Sequence, residues 1–401
     1  MIRVTEALAL VRRACAPLPV ESVSLSEALG RVLASDLTSD VDWPPFDASA
    51  MDGYAVRVAE AFAGRSLRER PGLVAAGDAP PEPLSPGEAV RVMTGASLPP
   101  GTEAVVPVEN TRREDGGVVA TAAPSAGEHV RRRGESIVAG ATLSPRGRRL
   151  GAAEIALAAL AGADPIAVFR RPTVALAATG NELVAASEKP GPGQLRDSNG
   201  PMLAALCRQR GAVTERRPAV ADEPAAVARL FAGAGVHEDL LVTSGGVSAG
   251  DFDLLPEEAA RAGFEILFHG VSMRPGRPVA FGRRGRALWL GLPGNPVSSA
   301  VCFRLFGALA LDALSGLEVP GPRFVRARLA SPIHARGPRE TFRDAFLEAD
   351  DGALRVRPLE TLGSHDLAAH ARANALLRLP ADAGRLDAGA LVECLPLDGL
   401  P

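Results

Sequence analysis

At 401 residues and 41.4 kDa the chain exceeds what one hydrophobic core usually organises, so roughly two to four modules are expected rather than a single compact domain. A 46% hydrophobic and 23% charged composition excludes general disorder, while 42 Gly and 34 Pro call for many turns. With 47 acidic against 44 basic residues the net charge is -3, which offers no global attraction to nucleic acid or to an anionic membrane, so any anion has to be held by a local site.

Residues 4–34 carry apolar positions at helical spacing, first Ala7, Leu8, Leu10 and Val11 and then Leu25, Ala28, Leu29 and Val32, with Pro17 and Pro19 between them. From 42 to 142 short β-prone runs (89–93, 104–108 and 117–121) are cut by Gly and Pro, as in a small β-rich module. Helix returns over 151–163. Residues 1–41 and 143–170 are therefore expected to form one helical region, with 42–142 inserted into it. Between 171 and 316 strand runs (173–178, 239–243, 264–269, 287–290) alternate with helices (201–210, 222–234, 254–262, 297–314). That alternation predicts a parallel sheet with helices on both faces, whose ligands bind beyond the carboxyl ends of the strands. Asp197 or Ser198 is placed to cap the first of these helices and Asp222 the second, with Pro224 in its first turn. Residues 317–401 read as short strands (324–329, 342–347, 354–356, 391–393), a small β-barrel or sandwich. The fold class expected is thus multidomain α/β.

Four cysteines, Cys15, Cys207, Cys302 and Cys394, lie far apart without a C-x-x-C pair, which suggests neither a zinc site nor a disulfide scaffold and fits a reducing cytoplasm. No apolar run of about 18 residues and no signal-peptide core is read, so neither membrane insertion nor export is expected. Only Lys189 among the basic residues is a lysine, so roles usually given to lysine are expected to fall to arginine. Tyr54 is the sole tyrosine, and it stands in a Met-Asp-Gly-Tyr turn.

Several loops carry chemistry. The predicted strand 239–243 ends at Thr243 and runs into Ser244, Gly245, Gly246, Val247, Ser248, Ala249, Gly250, Asp251, Phe252 and Asp253. Paired glycines let backbone N–H groups approach phosphate oxygens, and Asp251 or Asp253 suits Mg2+, which favours carboxylate and phosphate oxygen. A plain Gly-rich loop with solvated carboxylates is the alternative. A second loop, Pro293, Gly294, Asn295, Pro296 and then Ser298, opens a long helix whose N-terminus favours an anion; Gly294 is expected to allow an unusual φ. Arg274-Pro275-Gly276-Arg277-Pro278 sets two guanidiniums across a turn, suited to a tetrahedral oxyanion. Asp47 and Asp52 in 44–55, Thr94 in 91–99, Glu182 after 179–181, and Asp222 complete the candidates; taken singly, such residues are more often an ordinary turn or cap than a site.

Taken in order, FDASAMDGYAVR, RVMTGASLPPGTEAVVPVE, RRRGESI, TGNEL, SGGVSAGDFD, RPGRPVAFG, GLPGNPVS and SHDLAAHARANALLRLP resemble the MoeA family of molybdopterin molybdenumtransferases, whose animal relative is the E domain of gephyrin. The resemblance implies a homodimer of four-domain protomers: a helical dimerisation region, an inserted β-rich domain, an α/β molybdopterin-binding domain and a C-terminal β domain. It places each active site between the α/β domain of one subunit and the inserted domain of the other. It implies molybdate and adenylylated molybdopterin as substrates, with Mg2+-dependent release of AMP, and the adenylyltransferase and molybdoenzyme acceptors as partners. Under it, Asp253, with Glu182, Asp222 and Asp251, stands near Mg2+ or the nucleotide. Thr243, Ser244, Gly245, Gly246 and Ser248 serve pterin and phosphate, together with the 293–296 turn. Arg274 and Arg277 with Ser298 serve molybdate, and Asp52 and Thr94 reach across the dimer.

Four departures from the family pattern stand out. Arg274 and Arg277 replace the lysines of a KPGKP turn; Ala48 replaces an Asn; Arg343 is followed by Asp344; Ala368 and Ala369 stand where serines are common. Two other readings are a pterin-holding or scaffold protein without turnover, and a molybdopterin adenylyltransferase. The inserted and C-terminal domains argue against the latter.

Overall fold

The structure is a computed structural model and describes residues 1–62, 64–247, 254–335, 337–350 and 352–397. Two compact units emerge. The first comprises Met1–Ser35, Arg146–Gly151 and Ile166–Pro401; the second comprises Asp36–Pro145 and Ala152–Pro165. The expected insertion 42–142 lies inside the second unit, and the helix Ala152–Leu160 groups with it.

In the first unit the helix Val4–Ala14 buries Val4, Ala7 and Val11; of the positions its spacing singled out, Ala7 and Val11 are buried while Leu8 and Leu10 are half-buried. The second expected N-terminal helix does not form. Residues 20–33 give instead the strand Val20–Val23, paired antiparallel with Ile166–Phe169, a single 3-10 turn Leu25–Glu27, and isolated bridges at Val32 and Leu33. Leu29 is left exposed while Ala28, Val32 and Leu33 are buried, so the apparent helical period there came from an irregular segment lying on the core.

The α/β sheet has six strands in the order Val213–Arg216, Thr173–Ala178, Leu240–Ser244, Ala287–Leu292, Ala280–Arg284, Glu265–His269. The first four are parallel; Ala280–Arg284 runs antiparallel to both of its neighbours, so the sheet is mixed rather than purely parallel. The strand Ala280–Arg284 was missed because Arg283 and Arg284 follow its short apolar start. The central strands Leu240–Ser244 and Ala287–Leu292 are almost wholly buried, as expected where helices cover both faces. Asp197 Oδ1 accepts from Gly200 N at 2.8 Å, so Asp197 serves the helix Asn199–Gln209, and Ser198 makes no capping bond. At Pro224–Ala232 the N-cap position belongs to Glu223, not Asp222, with Pro224 at the first turn as read.

The long helix Pro296–Leu314 changes pitch midway: Pro296–Cys302 and Ala308–Leu314 are α, and Phe303–Gly307 is π. Its 19 residues are long and apolar enough to cross a membrane by length and composition, in contrast to the sequence reading, but 94% of that window is buried inside the protein. It is a core helix, packed with Leu290, Phe268 and Phe281 in the main hydrophobic cluster.

The C-terminal strands close on themselves. Glu340–Asp350 pairs with Ala353–Pro358, which pairs with Val325–Leu329, then Leu391–Pro396, then Ala375–Leu379, which returns to Glu340–Asp350. Closure leaves no open edge in this barrel. In the second unit six strands are ordered Ala104–Pro107, Gly53–Val56, Glu88–Val92, Ser66–Glu69, Gly117–Ala120, Thr111–Glu114, with apolar side chains on both faces. Gly53 sits so close to the neighbouring strand that a β-carbon would lie 2.3 Å from Val106 O, a packing reason for the glycine in Met-Asp-Gly-Tyr.

Candidate functional site

The carboxyl edge of the α/β sheet brings two of the expected loops together. Ser244 ends its strand and passes into Gly245 and Gly246, both at positive φ (95° and 61°). A β-carbon on Gly245 would lie 2.6 Å from Thr179 O, so side-chain-free backbone is required there twice over. Gly245 N donates to Leu292 O at 3.0 Å, and a β-carbon on Gly294 would meet Gly245 Cα at 3.7 Å. Gly294 itself has no positive φ, in contrast to the unusual backbone the sequence suggested, and since 3.7 Å is ordinary contact nothing in the structure requires glycine there. Asn199 Nδ2 donates to Gly294 O at 2.7 Å and fixes the turn, while Asn199 Oδ1 is buried without a hydrogen-bond partner.

Thr243 is a correction. Its side chain is fully buried and its Oγ1 accepts from Trp289 Nε1 at 3.0 Å, so the hydroxyl holds the core and is not presented to a ligand. Ser248, Asp251 and Asp253 lie outside the described residues. Glu182 folds back over Gly180, where a β-carbon would lie 2.6 Å from Glu182 Oε2. Asn181 Oδ1 accepts from Asp222 N at 3.2 Å, and Thr179 bridges to Val220, so Glu182, Asn181 and Asp222 share one strand end. No cluster of three or more metal-ligating side chains occurs among the described residues. Mg2+ commonly takes one or two carboxylates and completes its shell with phosphate oxygens and water, so Glu182 and Asp222 are a donor set of the right chemistry.

The arginine turn opens a different region. Met273–Arg274 leaves the α/β part and pairs in parallel with the barrel strand, Met273 opposite Glu340 and Arg274 opposite Thr341. The Arg274-Pro275 peptide is cis, and Gly276 (φ 100°) has no room for a side chain, since a β-carbon would lie 2.2 Å from Cys302 Sγ. Burial pushes the Cys302 thiol well above its ordinary range, which makes it an inert packing group. Between this turn, the start of the long helix and the barrel lies a cleft of about 980 Å³ that gathers Arg274, Arg277 and Ser298 with Arg339 and Arg343. His334, His365, Thr341, Thr361 and Ser364 also line it, and Asp344 is its one acid among the described residues. Among the described residues the side chains of Arg274, Arg277 and Arg339 have no protein hydrogen-bond acceptor, and Arg343 reaches only Leu359 O, at 3.5 Å. Ser364 ties the barrel side to the 293–296 turn: its backbone oxygen accepts from Val297 N at 3.1 Å and its Oγ from Asn295 Nδ2 at 3.1 Å. Asn295 is thereby engaged in structure.

Arg339, Arg343, His334 and His365 were not among the sequence candidates. A signal existed in the density of arginines between the strand runs, but nothing in the spacing said which would turn toward the α/β domain. Ala368 and Ala369 do not line the cleft.

In the second unit Asp52 and Thr94 meet as a pair. Asp52 Oδ1 accepts from Thr94 N and Thr94 Oγ1, each at 2.7 Å, because Gly53 pairs with Val92 and sets the two turns side by side. These bonds, the backbone one first, hold the Asp52 carboxyl below the ordinary carboxylate range. Asp47 is bound by Arg132 and by Arg133 N, a turn-building role. Tyr54, 3% exposed, points into the sheet core with its hydroxyl on Glu69, so the sole tyrosine is structural.

Three family models match in chain order: the MoeA N-terminal region (domain I and II) over residues 2–162, a probable molybdopterin binding domain over 175–313, and the MoeA C-terminal region (domain IV) over 326–397. A molybdopterin molybdenumtransferase from Nostoc sp. is 38% identical over 390 residues, 94% of this chain and 88% of that protein. Molybdopterin molybdenumtransferase 2 of Mycobacterium tuberculosis is 37% identical over 400 residues, 96% of each. A crystal structure of a molybdopterin biosynthesis MoeA protein from Pyrococcus horikosii superposes with a TM-score of 0.83 at 30% identity, over the full length of both chains.

Proposed function

Because this chain belongs to the MoeA family, we propose that it is a molybdopterin molybdenumtransferase that inserts molybdate into adenylylated molybdopterin, with Mg2+-dependent release of AMP. The observation that carries the proposal is the cleft: three guanidiniums without protein acceptors among the described residues, a fourth nearly so, and the Ser298 hydroxyl at a helix start. A tetrahedral dianion needs donors of this kind, and each charge-assisted bond contributes about 1.5 to 3 kcal/mol. Gly246 and, within the 293–296 turn, Gly294 and Asn295 would bind and orient the phosphates through backbone N–H groups, with Ser244 and Gly245 setting the course of the loop, and Arg274, Arg277, Arg339 and Arg343 would hold molybdate against them. Glu182 and Asp222 would hold Mg2+, with Asp251 or Asp253, which lie outside the described residues; the ion would supply charge neutralisation at the phosphoanhydride. The chain's own residues contribute position and fixed charge, the dominant resources when two anions have to be brought together.

A homodimer in the cytoplasm is part of this reading. The Asp52–Thr94 pair, flanked by exposed Met51 and Met93, would then serve the site of a second copy. Sedimentation showing only monomer at micromolar concentration would overturn that part. The activity itself is tested by incubating the purified protein with adenylylated molybdopterin, Mg2+ and molybdate. Molybdate-dependent AMP release is expected. Tight dinucleotide binding without AMP release would instead establish a pterin-holding protein.

A further inference from the structure

Asp344 has the wrong sign for its surroundings. It lines a cleft that otherwise carries Arg274, Arg277, Arg339 and Arg343, and it immediately follows Arg343 in the barrel strand Glu340–Asp350. A carboxylate in such company would ordinarily pair with the nearest guanidinium and occupy the cation that an incoming oxyanion requires. That pairing is absent among the described residues. Asp344 is only 5% exposed, and its Oδ1 lies 2.7 Å from Nδ1 of His370.

His370 reaches it from behind the cleft. It ends the one-turn helix Leu367–His370, is 9% exposed, and is not among the cleft-lining side chains. The helix is held at its start by Asp366, whose carboxylate accepts from Leu362 N and from Ala369 N, each at 3.0 Å. His370 N donates to the Asp366 backbone oxygen at 3.1 Å. The imidazole is therefore fixed to the same segment, 361–365, that forms one wall of the cleft. Facing a carboxylate, Nδ1 carries the proton, so His370 is a donor to Asp344 in either of its charge states.

We propose that His370 is a positioning residue that sets the oxyanion affinity of the cleft, by holding the Asp344 carboxylate away from the four guanidiniums and leaving them free for molybdate. The inference rests on the cleft being the molybdate site. Removing the imidazole would release a carboxylate into the arginine cluster, where it competes with the substrate. Removing the carboxylate would abolish the need for the imidazole. A merely structural pair would behave differently, because losing both partners would then be no better than losing one.

The test is equilibrium binding of molybdate to the full-length protein by calorimetry, in wild type and four variants. For His370→Leu the dissociation constant should rise on the order of ten-fold. His370→Asn, whose amide can stand in for Nδ1 as donor, should recover most of that loss. Asp344→Asn should bind molybdate more tightly than wild type, and Asp344→Asn combined with His370→Leu should return to wild-type affinity or better. A double variant as weak as His370→Leu, or a His370→Leu protein with unchanged affinity, overturns the inference. Should His370→Leu fail to fold, Asp344→Asn decides alone: equal or weaker binding overturns the proposal. If wild type itself takes up no molybdate, the cleft is not the molybdate site and this inference falls with that reading.

Discussion

At the carboxyl edge of the α/β sheet, Gly245, Gly246 and the 293–296 turn offer backbone groups whose positions are dictated by the strands that precede them. In the neighbouring cleft the donors are side chains drawn from several separated segments, carried on a turn, a helix start and a barrel strand. The first construction fails through geometry, since a single added carbon collides with fixed backbone. The second fails through charge, one guanidinium at a time. Under the proposed function, two anionic ligands would be held side by side and still be tuned separately.

The largest expected effect comes from breaking the backbone construction. Gly245→Val forces a β-branched residue to φ +95° and drives a carbon to within 2.6 Å of Thr179 O. Dinucleotide affinity should fall on the order of a hundred-fold, equivalent to roughly 3 kcal/mol, with molybdate uptake little altered. Titration showing unchanged dinucleotide binding would remove the glycine loop from the site.

Arg277→Ala reverses the pattern. The molybdate concentration for half-maximal AMP release should rise about ten-fold, near 1.4 kcal/mol, while dinucleotide affinity stays close to wild type. Arg277→Lys should recover much of the loss if charge dominates and little if the planar fork does. An unaltered molybdate dependence would show that this turn holds no oxyanion.

The smallest effect sharpens the comparison from the second unit. Thr94 N and Oγ1 both favour the charged form of Asp52, so its pKa is lowered, and their stabilisation is complete above the ordinary carboxylate pKa of about 3.9. It is lost as pH falls through the lowered folded value. Thr94→Val deletes the hydroxyl bond and leaves the backbone one, the larger contributor, so the Asp52 titration followed by carboxyl NMR should move upward yet remain below the ordinary value. No movement would show the hydroxyl bond to be without weight.

These differences also explain what could be read from the chain. Strands with a period of their own and glycines at their ends are local features, so the α/β alternation, the SGG loop and the closure of the C-terminal strands into a β domain were foreseeable. The segment around Leu29 misled because irregular chain lying on a core can imitate helical spacing over two turns. Thr243 misled because a hydroxyl at a strand end can face either side, and a buried indole claimed it. Arg339 and Arg343 were invisible as site residues, since their direction depends on a parallel pairing between 273–274 and 340–341 that bridges some 65 residues of sequence. Asp344 was noticed as an oddity beside Arg343, but its partner His370 lies 26 residues further on and only the folded barrel joins them.

The π segment Phe303–Gly307 has a bearing on how this scaffold tolerates insertions and deletions. A π turn inside an α-helix behaves as one extra residue absorbed without loss of phase on either side. Gly307 is moulded to it, since a β-carbon there would lie 2.6 Å from the Phe303 ring. Deleting one residue from 303–307 would return the segment to ordinary pitch and leave Pro296–Cys302 and Ala308–Leu314 in the phase they now hold. With Ala308–Leu314 anchored in the core, the half bearing Ser298 would keep its face toward the cleft. The buried helix can thus gain or lose one residue at this point without shifting the proposed oxyanion site, and a lineage that lost it would keep the helix start where it is.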